Sequence, residues 1–144
     1  VRETEMLKYE NIHIKYDNET FQWRMKSKNG IKMWNRDGLG CIVYKYGKKL
    51  HGTTVVFIGE VFLYNYTRED FKTLLSAFLK DIKPEIVLAD VALGHPLFNF
   101  YKGFGFKVSK EFVNHGVKVL SDEMKHICLN PENWAISFMD IDTF

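Results

Sequence analysis

Six apolar residues, Phe71, Leu74, Leu75, Phe78, Leu79 and Ile82, recur at i, i+3, i+4, i+7, i+8 and i+11. That spacing places them on one stripe of an amphipathic helix, which must bury the stripe against a neighbouring layer. Thr67 supplies an N-cap, with Asp70 three residues later as a capping-box partner, and Pro84 stops the element. Apolar runs flank the helix: Val55 to Tyr66 before it, and Glu85 to Leu93, with Ile86-Val87-Leu88-Ala89-Asp90-Val91 at its centre, after it. A long run without alternation suits a central strand covered on both faces. Strand, helix, strand in this order predicts a βαβ unit with a right-handed parallel crossover.

The stretch before this unit reads as strands. Ile12, Ile14 and Tyr16 alternate with polar neighbours, Asp17-Asn18-Glu19 forms a turn, and Phe21, Trp23 and Met25 continue the alternation. Lys28-Asn29-Gly30 is a second turn signal, because Asn and Gly tolerate positive φ. Cys41 to Tyr46 follows Gly38-Leu39-Gly40 as a further strand, closed by Gly47-Lys48-Lys49. Beyond the βαβ unit, Gly94-His95-Pro96 opens a short helix with Pro96 in its first turn, and Gly103 and Gly105 end it. Phe106 to Phe144 reads as strands around a charged connection at Ser121 to Lys125, with Trp134, Ile136 and Phe138 alternating in a closing strand.

With 144 residues and no linker or repeat, the chain is expected to form one domain, residues 1–144. Its hydrophobic share of 46% and charged share of 26% argue against disorder. The aromatic share of 15% suits either a thickened core or a lined pocket. A net charge of +2 with scattered Lys and Arg gives no basic stripe for nucleic acid. Cys41 and Cys128 each lie in an apolar stretch outside any C-x-x-C pair, so they read as reduced core thiols of a cytoplasmic protein. No apolar run reaches the ~20 residues of a membrane span. The first residues are polar, without a secretory apolar segment, and the chain opens on Val1, as a trimmed chain would.

Strand, helix, strand, a short helix ending in a Gly-Phe pair, then more strands: this order resembles the GCN5-related N-acetyltransferase (GNAT) fold. The segment Phe100-Tyr101-Lys102-Gly103-Phe104-Gly105-Phe106 is similar to a box of that family in which Tyr and Gly-Phe keep fixed spacing. Val61 and the pair Leu74-Leu75 keep the family's strand-to-helix spacing, so the resemblance spans about residues 55–110. It implies an α/β (α+β) fold: a central mixed, mostly antiparallel sheet with a parallel βαβ pair and flanking helices. It also implies an acyltransferase that moves an acyl group from acetyl-CoA or another acyl-CoA to an amine.

Two residues carry the chemistry in such a reading. Tyr101 matches the family Tyr whose hydroxyl serves as general acid toward the departing CoA thiolate, a task a neutral phenol suits. Its other reading is core packing, and Gly105-Phe106 then forms a helix C-cap with a hydrophobic contact. Glu60 lies in Phe57-Ile58-Gly59-Glu60-Val61-Phe62, on the strand where GNAT enzymes commonly place a Glu. Its apolar neighbours can desolvate it and make it the base for the amine; its other reading is an ordinary paired carboxylate. Asp90 is an alternate base, and His95 reads as a base or as a helix cap.

The resemblance breaks at the phosphate loop. Family members that use acetyl-CoA carry an Arg/Gln-x-x-Gly-x-Gly/Ala signature whose glycines let backbone N–H groups reach the pyrophosphate. Tyr66, Thr67, Arg68, Glu69, Asp70 and Phe71 occupy that stretch here, with Glu69 and Phe71 at the glycine positions. The acidic first turn suits the helix dipole and repels a diphosphate. Thr67 and Arg68 remain for phosphate, and the backbone around Leu63 and Tyr64 for pantetheine.

Two functions follow. One is a divergent acyl-CoA-dependent N-acyltransferase acting on a small-molecule or protein amine, without a metal. The other is a GNAT-fold binding or inhibitor protein, or a nucleic-acid-modifying protein, that takes a macromolecular partner and does not use CoA. The compact size and altered loop are compatible with a phage or mobile-element origin. Trp34, Arg36, Lys45 and Lys48-Lys49 form the aromatic and basic set such a nucleic-acid reading would use. Asp140-Ile141-Asp142 is the one cation candidate, with a solvated strand end as its other reading.

Overall fold

In the computed structural model, residues 12–13, 17–27, 30–47, 52–109 and 118–137 are described. Along the chain these form β1 (Ile12–His13), α1 (Asn18–Ser27), β2 (Ile31–Arg36), β3 (Gly40–Tyr46), β4 (Val55–Leu63), α2 (Arg68–Ile82), β5 (Ile86–Ala89), α3 (Phe98–Phe104), α4 (Lys125–Cys128) and β6 (Trp134–Ala135). A four-stranded mixed sheet runs in the order β2-β3-β4-β5. Its first two pairings are antiparallel and the β4–β5 pairing is parallel. The chain is therefore a mixed α/β protein of the α+β kind, with the expected parallel pair on either side of a helix.

The central unit forms as its pattern dictates. Thr67 caps α2 through its side-chain oxygen, which accepts the Asp70 N–H at 3.1 Å. Phe71, Leu74, Leu75 and Phe78 are buried, with Leu79 and Ile82 partly so. Lys83 closes the helix in the left-handed conformation (φ 50), its N–H reaching the Leu79 carbonyl, one residue before Pro84. Phe78 packs edge-on against Tyr44 (5.0 Å between ring centroids) and Trp34 (5.7 Å). The Trp34 indole N–H also donates to Asp81 at 3.2 Å, tying α2 to β2.

β4 is covered on both faces, as its unbroken apolar run implies. Val56, Ile58, Val61 and Leu63 join the α2-side core, while Phe62 joins Cys41 and Val43 under Phe21 and Met25 of α1. The strand is shorter than the run, since Tyr64 is already exposed.

The segment from Phe21 to Met25 is helical, not a strand. Asp17 is the reason: its carboxylate accepts the Thr20 N–H at 2.7 Å and its carbonyl accepts the Phe21 N–H at 2.9 Å. Asp17-Asn18-Glu19 is thus a helix start, with Glu19 favourable at the positive end of the dipole. The buried face is Phe21, Arg24 and Met25, at i, i+3 and i+4, while Trp23 is 63% exposed. A charged residue at the centre of that face hides the helical period, and the alternation of Phe21, Trp23 and Met25 is incidental.

Three further expectations change. β2 has no apolar alternation, so its sequence gave no strand signal; it pairs with β3 through an Asp37-Gly38-Leu39 turn. α3 begins at Phe98, with Pro96 ahead of its N-cap Leu97, and Gly103 lies inside it. The charged stretch around Ser121 is helical: a 3-10 turn over Asp122–Met124 leads into α4, and a second over Pro131–Asn133 leads into β6. β6 pairs in parallel with β1 as a separate two-stranded sheet. The readings of Ile14, Tyr16, Lys28, Asn29, Lys48, Lys49, Phe138 and the Asp140-Ile141-Asp142 cation candidate lie outside the described residues. Among the described residues no helix is long and apolar enough to cross a membrane.

Replacing Phe78, which is fully buried, by Ala is expected to cost about 3–5 kcal/mol in urea unfolding. Asp17→Ala is expected to cost about 1 kcal/mol, the value of a helix cap. A loss below about 0.3 kcal/mol for Asp17→Ala contradicts the helical start of α1.

Candidate functional site

Glu60 owes its position to an irregularity in β4. Val43 pairs with Glu60 and Tyr44 with Ile58, so Gly59 is an extra residue on the β4 side. Strict alternation from Val56 and Ile58 would send Glu60 into the α2-side core. The bulge shifts the period by one, so Val61 and Leu63 take the core and Glu60 shares the face of Val43 and Phe62.

The neighbouring strand leaves at the same level. β5 pairs with β4 from Val55↔Ile86 to Ile58↔Ala89 and no further, although β4 continues to Leu63. Beyond Ala89 the chain turns to the C-terminal segment: Val91 bridges Ser137, and the Ala92 N–H donates to the Ile136 carbonyl at 2.8 Å. Pairing along this edge of β4 therefore stops at Ile58, and Glu60 lies two residues past the last β4–β5 pair.

Two groups meet this carboxylate. One oxygen accepts the Val61 backbone N–H at 2.9 Å, and the other lies 3.4 Å from His95 Nε2. Glu60 and His95 are only 8% and 4% exposed, so the contact is poorly screened. His95 Nδ1 accepts the Leu97 N–H at 3.2 Å. A ring nitrogen that accepts carries no proton, so the neutral ring holds its hydrogen on Nε2, facing Glu60. His95 is thus both a cap at the approach to α3 and a donor to the carboxylate. Tyr101 is buried, and its phenol is held well above its ordinary value, first by burial and second by the Glu60 charge.

The Tyr101 box has a structural explanation of its own. Gly105 ends α3 with φ 116, a conformation glycine adopts without strain. The Gly105 N–H reaches the Lys102 carbonyl at 3.1 Å, and the Phe106 N–H reaches the Tyr101 carbonyl, also at 3.1 Å. With the Tyr101 and Phe106 rings 5.0 Å apart, this is a Schellman cap with its hydrophobic contact. The spacing of Tyr, Gly and Phe therefore follows from ending the helix.

The remaining candidates fall in two groups. Leu63 is buried in the α2-side core, and Tyr64 beside it is 62% exposed, its N–H bonded to the Leu39 carbonyl. Thr67 spends its oxygen as an acceptor on the α2 cap. Arg68, exposed at the first position of α2, extends over α3: a Cβ built on Gly103 would lie 3.8 Å from its guanidinium carbon. Thr67 and Arg68 stand at the start of α2, beyond the end of β4, together with Glu69 and Asp70 in the same first turn. Asp90, the alternate base, is half-buried immediately after β5. Trp34 is committed to Phe78 and Asp81, so it is not an open stacking platform. A shallow cavity of about 420 Å³ between Leu79, Val87 and Phe104–Lys107 shares no lining residue with the Glu60 group.

Comparison with known proteins gives no match: no family model, no curated protein and no solved structure is significantly similar to this chain.

Cys41 reports the same carboxylate from β3. Its thiol is pushed up to about 11, from an ordinary 9.0, by burial first and the Glu60 charge second. Between these values the folded chain keeps a proton the unfolded chain has lost, so stability falls as pH rises from 9 toward 11. Urea unfolding is expected to weaken by roughly 1 kcal/mol per pH unit across that window, and Cys41→Ala should remove this part of the alkaline loss. An unchanged alkaline slope in Cys41→Ala would show that Cys41 does not carry it.

Proposed function

We propose that the chain is a divergent acyl-CoA-dependent N-acyltransferase on a GNAT-like fold, acting on a small-molecule or protein amine. The observation that carries the reading is the buried Glu60 carboxylate beside His95, just past the point where β5 stops pairing with β4. Glu60 takes a proton from the acceptor ammonium, directly or through water, which frees the nitrogen lone pair. The amine then forms a C–N bond at the thioester carbonyl, the C–S bond breaks as Tyr101 gives its proton to the leaving sulfur, and the proton shed by the acylated nitrogen restores the Tyr101 phenol. The phenol holds its proton throughout the neutral range, and its raised value, set by burial first and the Glu60 charge second, makes it a weaker acid than an exposed phenol. The β4 edge around Leu63, beyond the last β5 pair, would pair with the amide groups of pantetheine, while Tyr64 spends its N–H on the Leu39 carbonyl.

Thr67 and Arg68 are the groups available to phosphate, through a hydroxyl proton and a cation. Glu69 and Asp70 oppose it, so the affinity for acyl-CoA is expected to be weak. Both cysteines are free, in keeping with the cytoplasmic setting such an enzyme would have.

The acidic first turn of α2 favours a second reading: a GNAT-like binding or inhibitor protein, or a nucleic-acid-modifying protein, that does not use CoA. Calorimetry with acetyl-CoA separates the two. The acyltransferase reading expects binding at sub-millimolar to millimolar cofactor. Glu60→Gln and Tyr101→Phe should each lower kcat/KM by about 10²-fold or more while leaving cofactor affinity within about twofold. No heat and no thermal shift at millimolar acetyl-CoA would overturn it in favour of the second.

A further inference from the structure

We infer that His95 is the positioning residue for Glu60, and that through Leu97 it fixes the carboxylate and Tyr101 from one short segment. The inference rests on the reading of Glu60 as base and deepens it. Capping alone explains one ring nitrogen: Nδ1 accepts the Leu97 N–H two residues ahead, a task the shorter Asn or Asp performs equally well. It does not explain why Nε2 points at Glu60, 3.4 Å away, with both side chains buried. With Val61 N–H on one oxygen and His95 on the other, the carboxylate plane is fixed at both ends. Remaining lone pairs stay available to a substrate proton.

The anchoring of His95 is built from backbone. Its N–H donates to the Ala92 carbonyl and its carbonyl accepts from Phe98, both at 2.9 Å. Gly94 is pressed against the C-terminal segment so closely that a Cβ there would lie 2.1 Å from the Glu132 carbonyl oxygen. Leu97, fully buried, receives His95 on its N–H side and bonds the Tyr101 N–H through its carbonyl at 2.9 Å. The contact to Glu60 on β4 and the backbone bond to Tyr101 in α3 thereby start from one short segment, His95 to Leu97. Among the described residues, the ionisable groups tied to Glu60 by contact or charge include His95 from that segment, Tyr101 from α3 and Cys41 from β3, and Arg24 is buried on α1, the helix packed over the same face.

Two substitutions separate the roles. His95→Asn keeps an acceptor near the Nδ1 position for Leu97 and loses the donor to Glu60; His95→Gln places an amide donor near the Nε2 position. Carbon-detected NMR of the Glu60 side-chain carboxyl, titrated in the full chain, reads the contact without any assumption about the reaction. The Asn variant should raise the Glu60 midpoint by about one pH unit or more, because a donor to the charged form is lost. The Gln variant should restore the wild-type midpoint. Any other pattern overturns the inference. Should the Asn variant fail to fold, the ring tautomer of wild-type His95, read from its nitrogen shifts, decides instead. Hydrogen on Nε2 supports the inference, and hydrogen on Nδ1 overturns it. If the wild type turns over acyl-CoA, the Asn variant should lose kcat about 10-fold or more with the acyl-donor KM unchanged. If it turns over none, the proposed reaction fails while the NMR result still decides the role of His95.

Discussion

The extra residue in β4 is the constraint on which the remainder of the structure depends. One residue inserted opposite Val43 and Tyr44 reverses the facing of everything beyond it. Val61 and Leu63 pass into the α2-side core, which needs their bulk, and Glu60 leaves it. Without that slip the strand would have to bury a carboxylate among Phe71, Leu74 and Tyr101, with no water to solvate it. With it, the carboxylate stands at the edge β5 has vacated, where Val61 and His95 supply donors.

A carboxylate kept this dry influences its surroundings. Burial raises both the Tyr101 phenol, in the α2-side core, and the Cys41 thiol, in the α1-side core, and the Glu60 charge adds to each. Both groups hold their protons more tightly than exposed ones would, so the thiol stays protonated at neutral pH and the phenol is a weaker acid.

The end of the β4–β5 pairing at Ala89 coincides with a change of partner to the C-terminal segment. Val91 and Ala92 find their backbone partners at Ile136 and Ser137 instead of along β4, and the close contact of Gly94 with Glu132 and Trp134 holds that arrangement. Asn130 starts the turn that delivers this segment, its side chain accepting the Glu132 N–H at 3.1 Å. The Trp134 indole donates to the Cys128 carbonyl at 2.9 Å and secures the approach from α4.

The amino-acid sequence by itself determined the central βαβ unit. A stripe of six apolar residues, a Thr cap and two apolar runs each favour the same local structure, and no distant contact is needed to choose it. It also marked Glu60 and Tyr101, because a carboxylate within an apolar strand and a Tyr near a helix end are visible as residue types. Tertiary structure decided the rest. α1 was hidden because Arg24 breaks its apolar face, and β2 because its partly buried residues, Ile31 and Trp34, do not alternate. The pairing of His95 with Glu60 joins residues far apart in the chain, and the bulge that makes it possible is a matter of register between strands. Register is set by what packs on both faces of the sheet at once, and a single chain segment read in order does not contain that information.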